Sequence, residues 1–130
     1  MKRRLFLSLT AMLALAQPAF ADFIAYEPGV IETALAEGKT VFVDYSATWC
    51  STCKAQERVI ESLLEGNPAY EEAMIFVRVD WDTYQDADVT TSRNIPRRSV
   101  LLVLKGDQEL GRIVAGTGEA EIKALLDLGL

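Results

Sequence analysis

The segment from Thr40 to Ala47 reads Thr-Val-Phe-Val-Asp-Tyr-Ser-Ala, and its apolar residues Val41, Phe42, Val43 and Tyr45 do not alternate with polar ones. Successive side chains of an extended chain point to opposite faces, so this run is apolar on both. Such a strand has to lie inside a sheet covered on both sides, as parallel strands usually do. Immediately after it, from Cys50 to Leu64, the residues Ala55, Val59, Ile60, Leu63 and Leu64 recur at helical spacing. A doubly buried strand feeding a helix points to an α/β architecture.

The rest of the chain extends the alternation. Pro28 to Glu37 predicts a helix with Pro28 in its first turn and Gly38 stopping it. Gly66-Asn67-Pro68 breaks the second helix, and a short helical turn from Tyr70 to Met74 leads into an apolar strand, Ile75 to Trp81. Asp86 to Arg93 has weak helical character. Ser99 to Leu104 reads as a buried strand, and Lys105-Gly106-Asp107-Gln108 as a hairpin turn returning along Glu109 to Ala115. Ile122, Leu125 and Leu126 define a last amphipathic helix. Strands separated by helices predict a mostly parallel sheet with right-handed crossovers, finished by one hairpin.

Residues 1–21 stand apart from this pattern. Lys2, Arg3 and Arg4 precede an apolar run from Leu5 to Ala16, and Ala19-Phe20-Ala21 offers small residues where a signal peptidase reads. This predicts a secretory signal peptide cut before Asp22, leaving one domain, 22–130, in the periplasm or secreted. Arg3-Arg4-Leu5-Phe6-Leu7 is also similar to the twin-arginine export signal. The run of about a dozen apolar residues is short of the roughly 18–20 needed to cross a bilayer, so no stable membrane insertion is expected after cleavage.

Removing three basic residues lowers Lys+Arg from 13 to 10 against 19 Asp+Glu, a formal charge of −9 for the remaining 109 residues. A domain so acidic repels phosphate backbones, which argues against nucleic-acid partners. The sequence contains no His, which excludes Ser-His-Asp and Cys-His catalysis and histidine-ligated metal. Two Cys cannot complete a tetrahedral metal site within one chain, and no metal is expected. Asp80, Asp82, Asp86 and Asp88 surround Trp81 and Tyr84, but lack the turn glycine and distal glutamate of an EF-hand and read as solvated acidic surface.

What remains is Trp49-Cys50-Ser51-Thr52-Cys53, at the junction of buried strand and helix. There Cys50 meets unpaired backbone N–H groups and the positive end of the helix dipole, both of which stabilise a thiolate. Three residues are nearly one helical turn, which brings Cys53 within bonding reach. The geometry suits a reversible disulfide, with an exposed Cys50 attacking a substrate disulfide and a more buried Cys53 resolving the mixed disulfide. A structural staple is a weaker reading, since a bridge enclosing two residues removes little unfolded-state entropy. Half of a metal site shared between two chains is another.

From Val41 to Lys54 the sequence resembles the central strand and active-site turn of the thioredoxin superfamily, and the resemblance covers nearly all of 22–130. It implies a thioredoxin fold, a central mixed β-sheet flanked by helices, with the Cys50–Cys53 disulfide as the redox group and no other cofactor. It implies catalytic roles for Cys50, Cys53 and Asp44, the last as the buried carboxylate that takes the proton of Cys53, usually through water. Asp44 is otherwise costly in so apolar a strand. Ile95-Pro96 is similar to the family's cis-proline beside the disulfide, so Trp49, Ile95 and Pro96 are implied to meet the substrate, and Ser51, Thr52 and Lys54 to tune the redox pair.

The chain departs from thioredoxin at Arg97-Arg98-Ser99, and lacks both the Gly-Pro dipeptide between the cysteines and the proline a few residues later. In this it is more similar to DsbD-type exported thioredoxin-like domains. Strongly oxidising relatives usually place His between the cysteines, whereas Ser51-Thr52 supplies only hydroxyl dipoles. The resemblance therefore implies a reductase or isomerase acting on disulfide-containing exported proteins and fed by a membrane or periplasmic thiol electron donor. The alternative is a redox-inactive adaptor or chaperone binding cysteine-containing clients.

Overall fold

Strand β2 (Thr40–Ser46) is the middle of a five-stranded sheet, as its two apolar faces demand. The computed structural model describes residues 23–130, so the predicted signal peptide, 1–21, lies outside the described residues. The elements in chain order are β1 (Ile24–Ala25), α1 (Val30–Ala36), β2, α2 (Ser51–Gly66), α3 (Ala69–Ala73), β3 (Met74–Asp80), α4 (Trp81–Tyr84), α5 (Asp88–Thr91), β4 (Val100–Lys105), β5 (Gln108–Val114) and α6 (Glu119–Asp127). In the sheet they run β1-β3-β2-β4-β5.

Alternation along the strands sorts the core into two halves. Val41, Val43, Tyr45, Val77, Val79, Val100, Leu102 and Leu104 pack on one face with Ile31 and Ala34 of α1 and Val89 of α5. Phe42, Phe76, Leu101 and Val103 pack on the other with Ile60 and Leu64 of α2, Tyr70 of α3, and Ile122, Leu125 and Leu126 of α6. Burying Ile60 and Leu64 contributes about 1.5–3 kcal/mol each and holds α2 flat on the sheet, which fixes its N-terminus at the end of β2.

The sheet is less parallel than the alternation predicts. β1, β3 and β2 pair in parallel, but β4 lies antiparallel to β2 and to β5. The cause is the segment after β3, where α4 and α5 have four residues each and so span about 6 Å apiece. A seven-residue strand covers about 23 Å, so neither helix returns the chain to the far end of the sheet. β4 therefore enters at the end where β2 and β3 stop, and its first residues arrive beside the cysteines.

Two local expectations also change. Gly29 adopts φ 93°, in the left-handed region, so α1 starts at Val30 and Pro28 lies in the preceding turn rather than in the helix. The two-residue strand β1, which pairs Ile24 with Val77, was too short to leave a periodic signal. The hairpin is as read, with Gly106 at φ 59° in its two-residue loop.

Candidate active site

Cys50 caps the N-terminus of α2. Its Sγ accepts the backbone N–H of Cys53 at 3.1 Å, and the first turn carries no acidic residue to oppose negative charge there. Cys50 and Cys53 form a disulfide with Cα atoms 5.3 Å apart. Both are 2% exposed, so the expected contrast between an open Cys50 and a covered Cys53 is absent. Ala47, the Trp81 ring and the Ser99 side chain close around the pair.

Asp44 is 1% exposed and projects from β2 on the face of Phe42, the face that α2 covers. Parallel pairing sets it opposite Arg78 of β3, whose Nε lies 3.4 Å from Oδ2. The same guanidinium reaches Glu57 of α2 at 3.5 Å. Asp44 Oδ1 is buried without a hydrogen-bond partner. Burial pushes the Asp44 carboxyl up from its ordinary 3.8 to about 6; Arg78 opposes this and Glu57 adds to it. A cleft of about 540 Å³, lined among others by Lys54, Glu57, Arg78 and Asp80, opens beside this group.

On the outer surface Trp49 is 57% exposed. Its indole Nε1 donates to Asp82 Oδ2 at 2.9 Å, and the Arg98 guanidinium stacks 4.6 Å from its ring centroid. Asp80 caps α4 by accepting the Thr83 N–H. Two members of the acidic cluster are thus engaged locally rather than simply solvated. Ser51 and Lys54 are exposed and Thr52 half-buried on the first turn of α2.

The expectation for Ile95-Pro96 has to be corrected. The bond is trans, Ile95 is buried in the core on the α1 face, and Pro96 is exposed. The residue touching the disulfide is Ser99, three positions on, whose Oγ lies 3.1 Å from the Sγ of Cys50 and 3.1 Å from that of Cys53. The reason is register: β4 begins pairing with Val100 opposite Tyr45, and the Ser99 N–H donates to the Tyr45 carbonyl at 2.8 Å. Arg97 and Arg98 thus separate the proline from the strand entry.

Gln56 is a further buried polar group that the apolar pattern does not reveal. Its Nε2 donates to the carbonyls of Ser99 at 3.0 Å and Gly116 at 2.9 Å. The stripe of α2 that faces the core runs Cys53, Gln56, Ile60, Leu64, and extending the helical period back from Ile60 through Cys53 would have found it. Arg78 is likewise a charge set between Val77 and Val79 of an apolar strand, but its partner depends on strand pairing that spacing alone does not supply.

Among the described residues no group of three or more His, Cys, Asp or Glu is arranged to hold a metal ion. The family model described as Thioredoxin-like matches residues 22–102. A thioredoxin of Echinococcus granulosus is 32% identical over 96 residues, covering 74% of this chain and 83% of the relative. The thiol:disulfide interchange protein DsbD of Pseudomonas fluorescens is 29% identical over 103 residues, which is 75% of this chain and 17% of that protein. Of solved structures, Trxlp from Edwardsiella tarda matches with a TM-score of 0.65 at 30% identity, covering 81% of this chain and 95% of that one. The match runs through the strand and turn that carry both cysteines, and the chain belongs to the thioredoxin-like family, whose redox group is a disulfide rather than a cofactor.

Proposed function

We propose that this chain is an exported thiol–disulfide oxidoreductase that reduces or isomerises disulfides of exported proteins. The observation that carries the reading is the Cys50–Cys53 disulfide across the first turn of α2, with Asp44 buried on the sheet face below that helix. In the reduced protein the Cys50 thiolate attacks a client disulfide, forming a Cys50–client bond and expelling one client sulfur as thiolate. Asp44 takes the Cys53 proton through water, for which its unpartnered Oδ1 is suited. Cys53 then attacks Cys50, the intramolecular disulfide closes, and the second client sulfur leaves. Two electrons pass from the pair to the client.

The leader pattern of residues 1–21 supports a periplasmic or secreted location, where a membrane or periplasmic thiol donor would restore the dithiol. Ser51-Thr52 between the cysteines supports a reducing rather than a strongly oxidising role. Insulin reduction with dithiothreitol, comparing the native protein with Cys50→Ser and Cys53→Ser, tests the proposal. Loss of turnover in both variants, with a client trapped on Cys53→Ser, is the expected outcome. Equal rates in all three would overturn it in favour of a redox-inactive adaptor.

A further inference from the structure

Ser99 is completely buried, and its hydroxyl lies equally close to both sulfurs of the disulfide, 3.1 Å from each. A hydroxyl has one hydrogen to donate and two lone pairs to accept with, whereas a disulfide offers only weak acceptors. The oxidised pair therefore leaves much of this group's capacity unused. Reduction changes that, because it places a thiolate and a thiol at the same two positions.

The hydroxyl is also held where it is. Ser99 has φ 63°, a left-handed conformation that costs a non-glycine residue about 1–2 kcal/mol. Such a backbone persists where its surroundings over-determine it. Here the Ser99 N–H donates to the Tyr45 carbonyl at 2.8 Å, and its own carbonyl accepts from the Ala115 N–H at 2.8 Å and from Gln56 Nε2 at 3.0 Å. Three hydrogen bonds, to β2, from α2 and from the residue that follows β5, fix one residue, and only its side chain faces the sulfurs.

We propose that Ser99 is a catalytic residue of the redox cycle, whose hydroxyl donates to the Cys50 thiolate of the reduced pair while accepting from the Cys53 thiol. The proposal rests on the thiol–disulfide reading above. When a dithiol donor reduces the pair, two electrons break the sulfur–sulfur bond and the donor becomes a disulfide. Of its two protons, one stays on Cys53 and the other passes to solvent, leaving Cys50 as thiolate under the Ser99 O–H. When Cys50 attacks a client, its negative charge departs with the expelled client sulfur. As Asp44 then takes the Cys53 proton, the Ser99 O–H rotates to donate to the Cys53 thiolate. Closing the disulfide transfers that charge to the second client sulfur; the two client thiolates take up two protons, one from solvent and the one that Asp44 gives back as it ionises again. Ser99 loses no proton at any step.

A hydrogen bond to a charged acceptor is about twice as strong as one to a neutral acceptor. The hydroxyl consequently stabilises the reduced state over the oxidised one, raises the reduction potential, and lowers the pH at which Cys50 ionises. Ser99→Ala removes the hydroxyl and keeps a side chain at the strained backbone; Ser99→Gly removes it and relieves the strain. The charged groups on the elements around the pair, Asp44 of β2, Lys54 of α2, Asp82 of α4 and Arg98 before β4, remain in both variants.

The experiment is equilibration of the native protein and both variants against glutathione buffers, with the pH dependence of Cys50 alkylation in parallel. Both variants are expected to shift the equilibrium about tenfold towards the disulfide, equivalent to about 30 mV lower potential, and to move Cys50 reactivity to higher pH. The proposal is overturned if both variants keep the native equilibrium and alkylation profile while still reducing insulin. It is also overturned if Ala and Gly shift in opposite directions, which would assign the effect to the backbone. A native pair that never reduces would overturn the oxidoreductase reading itself, a failure distinguishable from either.

Discussion

Two buried polar groups enter the proposed redox cycle and are held in opposite ways. On the β2 side Asp44 is ionisable, faces one guanidinium at 3.4 Å, and keeps an oxygen without any partner. On the β4 side Ser99 is neutral, its backbone N–H and carbonyl make three hydrogen bonds, with Tyr45, Ala115 and Gln56, and its hydroxyl touches both sulfurs. The first arrangement stores a desolvation cost that pH can release. The second stores a backbone strain that pH does not touch. The difference matches the two roles proposed for them in one cycle, Asp44 to move a proton and Ser99 to steady charge on sulfur.

The largest effect expected is from Asp44→Asn. With the folded value near 6 and the ordinary value 3.8, the unfolded chain ionises first as pH rises. Folding stability contributed by this group is thus complete below about pH 4, falls between about 4 and 6, and stays lower above that. Two units correspond to about 3 kcal/mol. Asp44→Asn should raise stability at pH 8 by up to that amount and flatten the pH dependence of urea midpoints. It should also slow release from the mixed disulfide by about 100-fold. A variant with native stability at pH 8 would break the contrast, because Asp44 would then carry no stored cost.

Gln56→Leu comes next and probes the other side. It deletes the bonds to the Ser99 and Gly116 carbonyls and should cost about 1–2 kcal/mol at pH 5 and pH 8 alike, read by the same denaturation. A cost that changes with pH would show the two sides to be coupled.

Arg78→Leu removes the group that holds Asp44 down, so the Asp44 titration, followed by carboxyl NMR, should move upward by about one unit. The smallest effect is that of Glu57→Gln. Glu57 is the last of the contributions raising Asp44 and is half-exposed, so its loss should move the same titration downward by a fraction of a unit. Shifts of the same sign in these two variants would contradict the arrangement of the three charges.

The contrast also explains what could be read without a structure. The β2–α2 unit was legible because Val41, Phe42, Val43 and Tyr45 dictate a doubly covered strand and the cysteines follow at a fixed helical spacing. Asp44 was legible because a lone carboxylate in such a strand has few innocent reasons to be there. Ser99 was not, since its position depends on α4 and α5 being too short to reverse the chain and on β4 entering at the cysteine end. Ile95-Pro96 carries the resemblance to the family's cis-proline instead, because a motif is visible in one dimension and strand register is not. The equal burial of Cys50 and Cys53 has the same origin, as both Ser99 and Trp81 reach the pair from distant sequence.

Everything proposed for this chain depends on Cys50 and Cys53 forming a reversible two-electron couple on the reducing side. Titrating the native protein through glutathione and dithiothreitol buffers, with free thiols counted by alkylation and mass shift, tests it directly. The expected result is one cooperative two-thiol transition at a potential well below the roughly −120 mV of DsbA-type oxidants. A pair that stays oxidised across the whole range, or a midpoint close to −120 mV, would contradict it.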